Sequence, residues 1–481
     1  MTIAHESTKK RSFPAALSKL QKGLNRFLYT DAYMLLVMAI AFAAWMVESA
    51  LMGFICMGVL AVIALLVADD LLPVLANLLG CILMLYTGDV DMLLTYWPVV
   101  VPIALAFVIF LVRCTYRKVK QIGNHKPFTL GRFFFPYLGV TVALFLGGVG
   151  TISTEAYVSS LTSIALLGPG LLLGYWLLAN FIKRDSGHNI GRTIAKLLAY
   201  FGLFVALEMI VRIVQADLPL AIWEKGHWSL GWAGNRNVIA YMFHFTAPMC
   251  LYLFTCYRKT GWAYLLLGVL QYACLFLTYS RGGILAGFAG LFVGVIFMII
   301  KAPDKRIALV SLIAILTAFT VVGMCFLDEV STVFINLLDR GFDSSGRFDL
   351  YREAWAVFKD NLIVGAGMGY QGKVISLNPI LSSYWFHSTV FQVLACMGIV
   401  GIVMYLFYYV TRIGFVFKHF RSGYAMFVLV AWIGFEGYSL IDPGTMIPFP
   451  QQFFSMLVLL GLDLMIPPKT KAPKAIPAEV A

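Results

Sequence analysis

In a mostly apolar sequence, an arginine marks a place where an anion has a reason to be. Arg281 sits in LTYSRGGILAG, Leu277 to Gly287, and interrupts a long apolar stretch. A guanidinium keeps its charge and donates through a planar fork that fits phosphate oxygens. Arg281 is therefore a candidate to bind an anionic lipid headgroup, with the hydroxyls of Tyr279 and Ser280 as added donors. The plainer reading is an arginine at a helix junction that snorkels to the interface. Gly282 and Gly283 leave room for a turn and for the close approach of a large group.

Other residues raise the same choice. Glu208 and Arg212 lie one turn apart on a helix. They either pair with each other, or Glu208 aims Arg212 at the same anion. In GNRN, Gly234 to Asn237, Asn235 or Asn237 is suited to cap the helix that follows. The exposed N-terminus of that helix, reinforced by Arg236, also favours a nearby phosphate. Arg347 opens the helical pattern of SSGRFDLYREAWAVFKD, where Phe348, Tyr351, Trp355 and Phe358 form one stripe. That stripe is expected on the bundle or the membrane surface, with Arg347 held at a fixed depth. His387 starts the next apolar helix. An imidazole titrates near neutral pH and can act as a general base, although an interfacial histidine also serves as an ordinary hydrogen-bonded residue.

Asp89 and Asp91 flank Val90 in a short loop, and such a pair is either solvated or holds a metal. Glu436 is an acid inside an apolar stretch and needs a partner there. GAGMGYQG, Gly365 to Gly372, follows no strand, which excludes a dinucleotide fingerprint. It reads as a tight turn, or as glycine amides that meet a sugar.

The elements that must position these residues are membrane helices. The 481 residues are 60% hydrophobic and 12% charged, against roughly 25% charged in a soluble domain. A span needs about 20 mostly apolar residues. Fourteen stretches qualify: 32–48, 50–68, 71–88, 95–113, 133–151, 158–182, 194–215, 234–256, 260–279, 282–301, 306–327, 385–411, 421–440 and 447–466. The first three crowd together, so one is a candidate re-entrant segment. The expected fold is an all-α polytopic membrane protein with 12–14 transmembrane helices. The eight cysteines lie in or beside apolar runs, without metal-ligand spacing or a disulfide framework. The basic, polar first 30 residues lack the early apolar core of a cleavable signal peptide.

Lysine and arginine set the orientation. With the N-terminus in the cytoplasm, all but nine of the 36 fall on the inner side, Arg412 counted among them. The nine are Arg212, Lys225, Arg236, Arg281, Arg340, Arg347, Arg352, Lys359 and Lys373. The net charge of +12 does not point to nucleic acid, because it resides in short loops. The expected organisation is a cytoplasmic N-terminal tail (1–31), helices one to eleven (32–327), a large extracytoplasmic loop with an amphipathic helix (328–384), helices twelve to fourteen (385–466) and a cytoplasmic tail (467–481).

Four segments in order, GNRNVIAYM, LTYSRGGIL, SSGRFDLYREAW with GAGMGY, and FHSTVFQVLACMGIVG, resemble the O-antigen ligase and polymerase family of bacterial surface-polysaccharide enzymes. The resemblance covers roughly Gly234 to Gly401. It implies a GT-C-like bundle and an inverting glycosyltransferase that uses no metal or other cofactor. The donor would be a glycan on undecaprenyl diphosphate at the outer face of the bacterial inner membrane. The acceptor would be a hydroxyl of lipid A-core or of another glycan. By resemblance, Arg281 and Arg347 contact the diphosphate and His387 activates the acceptor. Arg212 is a match with no motif around it, and Ser280, Arg236 and Asn237 complete the substrate-binding candidates. Ser388 stands where the family often has Asn after the histidine. Polymerase and ligase are not separated. The rival readings are a polysaccharide or lipid-linked glycan flippase, and a metal-dependent GT-C transferase using Asp89 and Asp91.

Overall fold

The structure is a computed structural model. It describes residues 13–84, 96–122, 128–184, 189–215, 230–231, 233, 235–325, 331, 335, 346–372, 377–378 and 383–466. An amphipathic helix, α1 (Phe13–Leu28), comes first, within what the sequence suggested was a tail. Then follow α2 (Asp31–Met46), α3 (Ala50–Val67), α4 (Val74–Met84), α5 (Trp97–Ile122), α6 (Phe134–Leu146) and α7 (Leu161–Phe181). The next five are α8 (Ile190–Gln215), α9 (Arg236–Cys256), α10 (Gly261–Leu277), α11 (Arg281–Lys301) and α12 (Lys305–Cys325). The last four are α13 (Arg347–Asp360), α14 (Thr389–Lys418), α15 (Gly423–Ser439) and α16 (Phe453–Met465). Each of the fourteen apolar stretches is overlaid by one helix other than α1 and α13. Two two-residue strands, Leu377–Asn378 and Ser383–Tyr384, pair antiparallel.

This is an all-α polytopic membrane protein. Among the described residues, seven helices, α3, α5, α7, α8, α9, α11 and α14, are long and apolar enough to cross a membrane, and the bent pair α1–α2 makes an eighth if it is one span. Apart from α12, with 21 residues, the other stretches hold shorter helices, because turn residues remove part of each run. Asp70 bonds the Leu72 amide ahead of α4, and an irregular Pro448–Gln452 turn precedes α16.

Helix α9 is the axis. Every residue from Ile239 to Phe254 is buried, as expected of a helix that is apolar all round. It packs on α8, α10, α11 and α15. On α11 a row of small residues, Gly283, Gly287, Gly290 and Gly294, brings the helix close to α9 and α15.

The bundle has two chemically distinct ends. At one, Lys196 meets Asp31 at 2.8 Å, Arg117 meets Asp69 at 2.7 Å, and Arg132 and Arg184 meet the buried Asp463 at 2.7 and 3.9 Å. At the other lie the start of α9, the start of α11, the end of α15 and the start of α14. The sequence counted Arg412 among the inner-side cations, beyond the end of its helix, and there the structure differs. Arg412 is not a loop residue: it lies inside α14, 1% exposed.

Helix α13 packs on α14. Its buried face is Leu350, Ala354, Val357 and Phe358, so of the aromatic stripe only Phe358 is buried against the bundle. Phe348 and Trp355 are about half exposed, at 50% and 49%. Both faces are apolar, and the one with the smaller side chains fits against α14. Tyr351, half-buried, stacks on Phe391 at 4.4 Å. GAGMGY is not a sugar-facing nest. Ala366 and Gly367 donate their amides to Ala395 and Cys396 of α14, and the amides of Ile399 and Val400 donate back to Leu362 and Ile363. Gly398, at φ 58°, makes the break in α14 that exposes those groups.

Candidate active site

His387 occupies the turn ahead of α14 with φ 48°, a left-handed conformation that a non-glycine residue holds only when its surroundings fix it. Two partners do so. The Tyr351 hydroxyl donates to the His387 carbonyl at 3.1 Å, and the His387 Nδ1 lies 3.2 Å from Oδ1 of Asp442. The imidazole side chain is 34% exposed while the carboxylate is 9% exposed, so the ring faces open space and its anchor does not. A carboxylate beside Nδ1 favours the tautomer with the proton on Nδ1 and leaves the Nε2 lone pair free to accept one.

Asp442 is itself held. It follows the end of α15, and its carbonyl accepts from the Tyr241 hydroxyl at 2.7 Å. Tyr241 in turn accepts from the Gly444 amide at 3.1 Å. The bonds tie the turn after α15 to the axial helix α9.

Arg347 reaches the same place from α13. It precedes Tyr351 by one helical turn and so shares its face. Burial raises the Tyr351 phenol above its ordinary pKa; Arg347 counters this and Asp442 adds to it. The Tyr438 hydroxyl stands near the end of α15, about one turn before Asp442. That hydroxyl is 2.6 Å from the Ser280 Oγ, which meets the Asn237 Oδ1 at 3.0 Å. Arg281, half-buried, follows Ser280 directly as the first residue of α11. Arg236 lies over the Tyr279 ring at 5.7 Å.

Asn237 and Ser280 thus connect to Tyr438, and His387 connects to Asp442, one turn after Tyr438; Arg236 lies over Tyr279, Arg281 follows Ser280 in sequence, and Arg347 opens the helix whose Tyr351 bonds the His387 carbonyl. Asn235 rather than Asn237 caps α9, accepting from the amides of Asn237 and Val238 at 2.9 and 3.2 Å. The close approach at Gly282 is made by the protein itself. A Cβ there would fall 2.1 Å from Ile441 and 2.8 Å from Tyr438. Arg212 is at the same end but in other company: Glu48 at 4.0 Å, Gln215 at 3.4 Å and the Trp45 ring at 5.0 Å. Asp89 and Asp91 lie outside the described residues, as do Arg340 and Lys373.

Beneath the network a second polar cluster joins three helices. Arg412 is sandwiched between Tyr408 and Trp432, at 4.5 and 4.3 Å, and donates to Glu436 at 3.3 Å and to Ser455. Glu436 also accepts from Tyr409 at 3.0 Å and from Thr445 at 3.2 Å. Thr445 stands three residues after Asp442, so this carboxylate anchors the turn that carries the histidine's partner.

Sequence reasoning missed Asp442, Tyr438 and the place of Arg412. Asp442 is an acid at the end of an apolar helix, just before Pro443, and nothing in its sequence neighbourhood singles it out. Only the fold brings it to a histidine 55 positions earlier.

The fold and this site define a polytopic helical membrane protein with a histidine–carboxylate pair and several arginines at one end of the bundle. A family model described as O-antigen ligase matches residues 263–406. The matched stretch runs from α10 into α14 and includes Arg281, Arg347 and His387. Asp442, Tyr438 and Asn237 fall outside it. No curated protein matches the chain.

Proposed function

We propose that this protein is an inverting glycosyltransferase of bacterial surface-polysaccharide assembly, an O-antigen ligase or a polymerase of repeat units. The donor is an oligosaccharide on undecaprenyl diphosphate. The single observation that carries the reading is the His387–Asp442 pair at 3.2 Å, with the Arg347 helix bonded to the same histidine.

In the reaction, Nε2 of His387 takes the proton of an acceptor hydroxyl. The acceptor oxygen forms a bond to the anomeric carbon as that carbon's bond to the diphosphate oxygen breaks, with inversion. The electron pair leaves on the diphosphate. Charge on that group grows towards the transition state, so preplaced arginines stabilise the transition state more than the bound substrate. Arg281 and Arg347 take that role, Arg236 flanks them, and Ser280 and Asn237 bind hydroxyls or phosphate oxygens. Asp442 keeps the imidazole in the basic tautomer and stabilises the imidazolium that forms. Arg212, engaged by Glu48, is assigned a place at the rim.

With the N-terminus in the cytoplasm, the cation-rich end is cytoplasmic and the His387 end opens to the outer face of the inner membrane. No nucleotide sugar is available there, which suits a prenyl-diphosphate donor. The test is transfer by the purified protein in nanodiscs, supplied with undecaprenyl-diphosphate oligosaccharide and either lipid-core or glycan acceptor. Arg281→Ala and Arg347→Ala should each abolish transfer with the protein still in the membrane; normal transfer by either rejects the reading. The acceptor that is elongated separates ligase from polymerase.

A further inference from the structure

We infer that α1 lies flat on the leaflet at the cation-rich end of the bundle and binds its anionic phospholipid headgroups. This rests on the first helix and is independent of the transfer reaction. Successive residues turn by about 100°, so Lys19, Lys22 and Arg26 fall on one flank of the helix and Leu20, Leu24 and Phe27 on the opposite one. The three cations are exposed and have no carboxylate partner among the described residues. On the apolar flank, Leu20 is 67% and Phe27 38% exposed, so the protein itself covers only part of that face.

The helix cannot simply extend the span that follows. The segment Lys19–Leu28 meets Asp31–Met46 at 69°. The bend is fixed by Thr30, whose hydroxyl donates to the Phe27 carbonyl at 2.7 Å and accepts from the Tyr33 amide at 3.3 Å. Asn25 bonds Asp69 at 2.9 Å, and Tyr29 bonds the buried Asp70. The C-terminal end of α1 is thus bolted to the α3–α4 turn, at the end where Lys196, Arg117 and Arg132 also gather. A helix held steeply to a membrane span, apolar below and cationic above, fits the boundary between acyl chains and headgroups. Its three unpaired cations match an anionic leaflet, and a second protein surface would need carboxylates at the same depth.

The test is amide hydrogen exchange of residues 19–28 in the full-length protein, in nanodiscs of phosphatidylcholine alone or mixed with phosphatidylglycerol. Each cation near an anionic surface favours the docked helix roughly fivefold. Exchange should therefore slow markedly in the mixed discs, by up to about a hundredfold. A Lys19→Gln/Lys22→Gln/Arg26→Gln variant should lose that difference, while exchange in the buried α9 stays the same and reports an intact fold. Equal exchange in the two discs overturns the inference, whether the segment is protected in both or in neither. A lipid dependence that survives in the triple variant overturns it too. None of these outcomes depends on whether the protein transfers a glycan.

Discussion

A histidine works as a base only in the right tautomer and at the right angle, and in the proposed reaction Asp442, 3.2 Å from Nδ1, supplies both. Replacing Asp442 by Asn keeps the size but lets the amide favour the wrong tautomer. General-base catalysis contributes roughly 10²–10⁴-fold. Asp442→Asn should therefore lower kcat by about 10²-fold or more, with the donor KM little changed, in steady-state transfer assays. An unchanged kcat would remove Asp442 from the site. At this scale the sequence was half legible. Arg281 stood out because it interrupts an apolar stretch, and Arg347 and His387 because each stands at the start of a helical pattern. Asp442 and Tyr438 did not, because an acid or a tyrosine at a helix end is common, and their partners lie on other helices.

The elements hold these residues through two close contacts. Gly282 lets α11 start against the turn after α15, so a methyl group in the 2.1 Å gap to Ile441 has nowhere to go. Overpacking of this kind costs about 1–3 kcal/mol. Gly282→Ala should lower the melting temperature and reduce transfer by separating Ser280 from Tyr438. The second contact is the Glu436–Thr445 bond beneath Asp442. Thr445→Val removes that bond at little change in volume. It should reduce kcat several-fold, and its effect should be much smaller when Asp442 is already Asn, since residues in one network are not additive. Fully additive losses in the double variant would assign Thr445 to stability alone. Helix positions were legible in the sequence because long apolar runs have few alternatives. The inward face of α13 was not, because two apolar faces compete there and the shape of α14 decides between them.

Over the whole molecule, ion pairs gather at one end of the bundle, formed by lysines and arginines that the sequence placed on the inner side. Arg412 was the exception. Its sequence position near the end of α14 resembles a loop cation, yet aromatic rings and Glu436 bury it. Breaking a buried pair from one side costs about 3–5 kcal/mol, whereas replacing both partners costs less. Arg412→Met should thus destabilise the protein in thermal unfolding more than Arg412→Met combined with Glu436→Gln. The proposed orientation is checked by thiol labelling in intact cells. A membrane-impermeant reagent added outside should reach Lys359→Cys, on the exposed side of α13, and should reach Lys22→Cys only after permeabilisation.

The central claim is that His387 removes the acceptor proton while arginines at the same end of the bundle hold the leaving diphosphate. The most direct measurement is a single-turnover reaction of His387→Ala with labelled undecaprenyl-diphosphate oligosaccharide, alongside donor binding by the same preparation. The account predicts donor affinity close to that of the unaltered protein and no glycan transferred. Transfer at the unaltered rate, with the donor bound, would contradict it.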